Sequence, residues 1–311
     1  MVGWRPLSVI ICSHNPRTDF LAATLAALRQ QTLPLDRWEL IIVDNASEPA
    51  IAGTVDLSWH PTARVVVEPK LGLTPARLAG IASSGGDNVV FADDDNVLAP
   101  TFLANAIALL ATHSEVGIAG GRVVPLFQAE PPPWTREFFG NLALGDHGAT
   151  ARVSESWKNR PRDYPSFAPV GAGLVARRAA LAPYVKLVNS DPLRRAFDRR
   201  GRALTSGGDN DLVMTALESG WRAAYWPQLC LEHIIPPSRL TRAYLARLNY
   251  AIARSWIGVR RLHQACPWPS IRSWTVPLRQ ARAFFRHRAW LGSAHYVRWR
   301  YACGHFAGLA D

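Results

Sequence analysis

Four short apolar runs, each stopped by polar side chains and separated by helix-periodic stretches, restrict the fold of this chain more than any other feature. Leu7-Ser8-Val9-Ile10-Ile11-Cys12 is rich in β-branched residues and ends at Ser13-His14-Asn15-Pro16, as a buried strand stopped by a turn does. Phe20, Leu21, Thr24, Leu25 and Leu28 then recur at helical spacing, and a second run, residues 38–43, stops at Asp44-Asn45-Ala46-Ser47. The pattern repeats. Residues 63–68 stop at Pro69-Lys70-Leu71-Gly72, and Thr74 followed by Pro75 predicts the start of a helix that buries Leu78, Ile81 and Ala82. A fourth run begins at Val89. Such alternation predicts an α/β fold with a mostly parallel, twisted sheet and helices on both faces. Ligands of such sheets bind in the crevice beyond the carboxyl ends of the strands. His14, Asp44, Lys70 and Asp93 to Asp95 all fall at those ends. The turn after the first run lacks the glycine-rich loop of a dinucleotide site, and there is no P-loop.

The fourth run enters three carboxylates, Val89-Val90-Phe91-Ala92-Asp93-Asp94-Asp95-Asn96. Successive side chains of a strand alternate faces, so Asp93 and Asp95 are expected to point one way and Asp94 the other. Two carboxylates in one site repel unless a cation lies between them, and a hard divalent ion with oxygen ligands relieves the cost. Mg²⁺ or Mn²⁺ held by one or two carboxylates completes its shell with water and substrate phosphate, so the pattern points to a phosphate-bearing substrate.

At 311 residues and 48% apolar the chain can bury a substantial core. Residues 7–12 are too short for the apolar region of a signal peptide, and no stretch has the length of a spanning helix, so a cytoplasmic protein is expected. Cys12, Cys230, Cys266 and Cys303 are too scattered for a zinc site or a disulfide framework. The net charge of +11 is concentrated at one end: from Ile234 onward there are thirteen arginines, no lysine and one acid, Asp311. The expected division is a catalytic domain over residues 1–235 and a basic, Trp- and Arg-rich helical extension over 236–311.

Five motifs resemble, in order and spacing, the family 2 glycosyltransferases of GT-A fold: residues 9–15, Val43-Asp44-Asn45-Ala46-Ser47, Gly72 with Ala76-Arg77, Asp93-Asp94-Asp95, and Gly208-Asp209-Asn210-Asp211-Leu212. The resemblance covers residues 7–235 and implies inverting transfer of a sugar from a nucleoside-diphosphate sugar with a divalent metal. Bacterial enzymes of polysaccharide or glycolipid assembly are the most similar members, with a saccharide or lipid-linked acceptor. Carried over by position, Asp44 would meet the base, or merely cap its turn. Lys70 would lie beside the donor. Arg77 would reach base or phosphate, or sit on a solvated face. Asp93 would hold ribose or metal, and Asp95 would ligate the metal. Asp209 would be the general base that takes the acceptor's proton, or an N-cap, a role for which Asp211 competes. The family usually sets Glu before this Asp, and here Gly208 stands there. Residues 169–175 resemble an acceptor-side strand, or need small residues for packing. His233 would lie near the metal or diphosphate, or be a buried, hydrogen-bonded histidine. Residues 128–165, with three consecutive prolines, fit no periodic element, as an acceptor loop or lid would.

The extension carries a second pattern. With about 100° per residue, the six arginines from Arg239 to Arg261 fall on one side of a helix, and Leu245, Leu248, Ile252, Trp256 and Val259 on the other. Tyr250 and Ile257 are exceptions on the arginine side. The stripe suits either packing on the catalytic domain or an anionic lipid surface, to which the acid-free charge points. Peripheral contact at the inner face of the membrane is therefore expected. Two other classes fit parts of the chain: a nucleotidyltransferase built on the same metal–diphosphate logic, and a nucleic-acid binder using the Arg/Trp tail. Neither accounts for the ordered upstream motifs, and no nucleic-acid partner is expected.

Overall fold

The computed structural model describes residues 6–158, 162–201 and 203–311. Its main sheet has eight strands: β1 (Leu7–Ser13), β2 (Trp38–Asp44), β3 (Arg64–Val67), β4 (Asn88–Ala92), β6 (Val116–Gly120), β8 (Arg152–Val153), β9 (Leu174–Arg177) and β10 (Arg222–Tyr225). Their order is β3-β2-β1-β4-β9-β6-β10-β8. Parallel pairing runs from β3 to β4 and again between β6 and β10, whereas β9 is antiparallel to both of its neighbours and β8 to β10. A small second sheet sets β11 (Leu231–Ile235) between β5 (Asn96–Leu98) and β7 (Val123–Phe127).

Side-chain alternation along the strands builds two cores. Val9, Ile11, Leu40, Ile42 and Val90 face α1 (Thr18–Arg29) and α3 (Phe102–Thr112). Ile10, Ile41, Val43, Val89 and Phe91 face α2 (Leu73–Ser83), α4 (Arg178–Ser190) and α5 (Gly208–Glu218). The expected strand beginning before Leu174 is shorter than its motif: residues 169–173 are irregular, and only from Leu174 does the chain pair. Thr74 does not cap α2. The helix starts two residues earlier, at Leu73, Gly72 is the cap with φ +142°, a conformation that favours glycine, and the Thr74 hydroxyl is left to donate elsewhere. Residues 128–165 are not wholly irregular either. They contain a 3₁₀ stretch, Pro133–Leu142, and β8, while residues 159–161 of that segment, like residues 1–5 of the expected first domain, lie outside the described residues.

Three helices follow: α6 (Arg242–Leu262), α7 (Val276–Arg286) and α8 (Ser293–Ala310). The apolar stripe of α6 is used internally, because Leu245 and Leu248 pack with Phe138, Leu142 and Val297, and Val259 joins the core beneath α5. α8 lies on the flank where Tyr250 and Ile257 broke the arginine pattern. Gly304 and Gly308 bring the two backbones together: a Cβ at 304 would run into the Tyr250 carbonyl oxygen, and one at 308 would stand 2.9 Å from Ile257 Cβ. On a free helix Gly→Ala gains about 1 kcal/mol of helix propensity. At Gly304 the backbone obstacle reverses the sign, and Gly304→Ala is expected to cost about 1–3 kcal/mol in chemical denaturation.

α6 is also tied down by charge. His263, its C-cap, is buried with Nε2 2.7 Å from Asp211 Oδ1 and Nδ1 2.9 Å from Glu218 Oε2, and Asp211 also pairs with Arg194. Burial works against the His263 charge, but hydrogen bonds to Asp211 and Glu218 overcome it and raise its pKa above 6.5. The sign follows from linkage: this contribution is complete below pH 6.5 and is lost as pH rises through the raised folded value. The gap in melting temperature between wild type and His263→Gln is therefore expected to be widest in the acidic range and to shrink toward alkaline pH.

Candidate active site

A cavity of about 510 Å³ opens beyond the carboxyl ends of β1, β2 and β4 and is closed from the other side by α5 and α6. Asp93, Asp94 and Asp95 all line it, but not as strand residues. β4 ends at Ala92, and the Asn96 side chain accepts from the Asp93 N–H at 2.9 Å and folds the chain into a turn. The expected alternation of faces does not apply, and all three carboxylates converge. Burial, then the charge of Asp95, raises the Asp93 carboxyl. The same two causes push Asp94 up to about 7, although the Ser13 hydroxyl donates to it and works the other way. Burial also opposes the Asp95 charge, but His233, Arg239 and Arg199 outweigh it and hold this carboxyl low. Asp95 Oδ2 lies 2.9 Å from Arg239 Nη2 and 3.3 Å from His233 Nε2.

On the facing wall, Arg77 is buried and bridges two acids. Its Nη2 is 2.5 Å from Asp209 Oδ1 and its Nη1 3.2 Å from Asp198 Oδ2. The Asp209 carboxylate also accepts from the Gly171 N–H at 2.8 Å, and Asp198 from the Thr74 hydroxyl at 2.9 Å. A Cβ at Gly171 would stand 2.6 Å from Asp209 Oδ2 and 2.7 Å from Arg77 Nη2, so only glycine leaves the acid this seat. Burial counts against the Arg77 charge, and the carboxylates of Asp209 and Asp198 more than restore it. Gly208 has its own reason: a Cβ there would collide with the Asp198 carboxylate. An acid near Asp209 is thus supplied by residue 198, through their shared partner Arg77. Burial pushes the Cys12 thiol in the cavity wall up to about 12, which keeps it protonated and removes it as a nucleophile.

Several expectations need correcting. Asp44 does not line the cavity: it is buried, with Oδ1 accepting from the Ser47 N–H and Oδ2 from the Ile51 N–H, both at 2.9 Å. It caps its turn. Asn45 lines the cavity instead and pins the following loop, donating to the Glu68 and Lys70 carbonyls at 2.9 Å and accepting from the Gly72 N–H at 2.7 Å. The Lys70 side chain is exposed and outside the cavity. Arg77 is on no solvated face: it lies in the cavity wall, paired with Asp209 and Asp198. Asp209 is not an N-cap, since α5 begins at Gly208 with Gly207 before it. Asp211 is fully buried in the His263 network. The sequence reading missed Asp198, Arg199 and Arg239. Asp198 and Arg199 are hidden in an arginine-rich stretch, and the only signal of Arg239 is its place six residues after His233.

Asp93 and Asp95, with His233 beside Asp95, have the donor chemistry of a divalent-cation site. The Asp95 charge raises the cost of ionising Asp93, and the buried His233 Nδ1 meets no hydrogen-bond partner among the described residues. Among those residues no group of three or more His, Cys, Asp or Glu side chains is arranged to hold an ion unaided. An ion there would need further ligands from outside this set, such as water and a diphosphate.

The sequence profile described as Glycosyl transferase family 2 matches residues 8–181. An N-acetylglucosaminyltransferase of Mesorhizobium japonicum is 26% identical over 239 residues, 76% of this chain and 53% of its own length. One from Rhizobium meliloti is 24% identical over 242 residues with the same shares. The chain thus spans about half the length of these curated relatives. The mannosyltransferase PcManGT of Pyrobaculum calidifontis, solved with GDP-Man and Mn²⁺, superposes with a TM-score of 0.55 at 19% identity, over 97% of this chain and 75% of that one. Residues 1–349 of S. aureus TarS in complex with UDP give 0.52 at 14%, over 97% and 89%. These likenesses establish the fold, an α/β sheet of GT-A type with C-terminal helices, and the profile match establishes the family. This chain belongs to glycosyl transferase family 2.

Proposed function

We propose that the protein transfers a sugar, with inversion, from a nucleoside-diphosphate sugar to a hydroxyl of a saccharide or lipid-linked acceptor, in cell-surface polysaccharide assembly at the inner face of the membrane. One observation carries this reading: the Asp93–Asp95 turn and an arginine-held Asp209 face each other across a single cavity. The donor's diphosphate lies toward Asp93, Asp95 and His233, where Arg199 and Arg239 add positive charge. Mg²⁺ or Mn²⁺ bound there supplies Lewis-acid stabilisation of the departing diphosphate. PcManGT, whose structure holds Mn²⁺ with GDP-Man, supports that choice of ion.

Asp209 does the proton work. The acceptor oxygen bonds to the anomeric carbon as the carbon–oxygen bond to the diphosphate breaks, and the hydroxyl proton passes to the Asp209 carboxylate. The Gly171 N–H and Arg77 fix the direction of that carboxylate, and the missing Cβ of Gly171 makes room for it. Incubation with a panel of nucleoside-diphosphate sugars and Mn²⁺ or Mg²⁺ is expected to release nucleoside diphosphate only when the ion is present. Release of pyrophosphate from nucleotides instead would replace this reading with nucleotidyl transfer.

A further inference from the structure

No described helix is long and apolar enough to cross a membrane, and the stripe of α6 is spent on the fold. The exposed apolar surface lies on α7 and its flanks instead. Trp274, Leu278 and Phe285 are 66–68% exposed, and Trp290 and Leu291 56% and 58%. With Leu278 at zero and about 100° per residue, Ala281 and Phe285 fall at about 300° and 340°, and Arg282, Arg286 and Arg279 at about 40°, 80° and 100°. Gln280, Ala283 and Phe284 occupy about 140° to 240°, the sector that meets the protein. Phe284 there packs edge-on against Trp299 of α8 at 5.2 Å, and the Trp299 indole donates to the Gln280 carbonyl at 2.9 Å. The α7 helix is thus fastened by its inner face, while an apolar stripe and a parallel arginine stripe look outward.

We infer that this face of α7, with Trp274, Trp290 and Leu291 beside it, seats the protein on an anionic lipid surface. The inference rests on the proposed membrane-side acceptor for its purpose, but not for its physics. Contiguous exposed apolar side chains call for a cover. Arg279, Arg282 and Arg286 form no ion pair with a carboxylate among the described residues, and no acid occurs between Ile234 and Ala310. Lipid satisfies both stripes at once: leucine, phenylalanine and tryptophan enter the headgroup boundary while the guanidinium groups meet lipid phosphates. A second copy packed on this face by an antiparallel two-fold contact would not, because it would set arginine stripe against arginine stripe.

The test is co-sedimentation of the full chain with vesicles of phosphatidylcholine alone and of phosphatidylcholine and phosphatidylglycerol in equal parts. The wild type is expected on the mixed vesicles and not on the neutral ones. Arg279→Gln/Arg282→Gln/Arg286→Gln should weaken partitioning about a hundredfold, from roughly 1 kcal/mol per arginine near such a surface. Leu278→Ser/Phe285→Ser should weaken it at least about tenfold. Both variants change outward side chains only, so their melting curves should match the wild type. Equal partitioning of wild type and variants, or equal binding to neutral vesicles, overturns the inference. So does a dimer in sedimentation velocity that Leu278→Ser/Phe285→Ser splits. Nucleoside-diphosphate release without vesicles, measured on the same proteins, should stay at the wild-type level. If the wild type releases none, the failure belongs to the cavity, and partitioning is judged separately.

Discussion

Asp209→Asn is expected to lower sugar transfer by about two to four orders of magnitude, the range for loss of a general base, with donor affinity near wild type. The substitution keeps the shape of the side chain, but its one amide oxygen can accept either from the Gly171 N–H now bonded at 2.8 Å or from Arg77, and not from both. It removes one of the two charges on Arg77, but Asp198 remains 3.2 Å away, so the buried guanidinium keeps a counter-ion. That separates chemistry from folding: kcat should collapse by orders of magnitude while stability falls only by about the 1–3 kcal/mol of one lost hydrogen bond. Arg77→Ala would behave differently, because it strands Asp198, a buried acid already raised by its surroundings, next to Asp209. Normal turnover by Asp209→Asn would remove it as the base. The role would then pass to an acid that lines the cavity, and not to Asp211, which is sealed in the His263 network.

The strands were legible because strands covered on both sides read as unbroken apolar runs, and β1, β2 and β4 are such strands. β9 was not fully legible, since nothing in Gly171-Ala172-Gly173-Leu174 states that it will insert antiparallel between β4 and β6. The acidic cluster shows the same boundary between composition and geometry. Three carboxylates at a strand end announce a cation, but the Asn96 side chain decides that they converge instead of alternating. Local residue types carry chemistry, whereas relative placement depends on contacts made from far along the chain.

The helices of the extension make this concrete. Periodicity shows that α6 will bury one face and is silent about the cover. The two residues that spoiled its pattern, Tyr250 and Ile257, were the visible trace of α8, and the matching trace is a pair of glycines some fifty residues later. Arg77 and Asp44 each carried two readings for a related reason. A charged residue in the right motif can serve the substrate or serve another protein group, and only the partners tell which. Arg77 found Asp198 and Asp209, and Asp44 found two backbone N–H groups.

Asp95→Ala is expected to abolish the part of nucleoside-diphosphate affinity that depends on Mn²⁺, by more than about a hundredfold, since even outer-shell changes at metal sites cost 10- to 100-fold. The structure adds a second, opposite effect. Asp95 holds Arg239 at 2.9 Å and keeps His233 at 3.3 Å, so its removal frees a guanidinium at the place where the diphosphate is expected. Without metal, the variant should therefore bind nucleoside diphosphate at least as well as the wild type. The fold should tolerate the change, because Arg239 is about a quarter exposed and can turn to water, and Asp93 loses a like-charged neighbour. Calorimetry with and without Mn²⁺ reads both effects on one protein. A variant whose Mn²⁺-dependent increment equals that of the wild type would show that Asp95 is held by Arg239 and His233 for structure alone, and would leave Asp93 as the carboxylate to test for the metal.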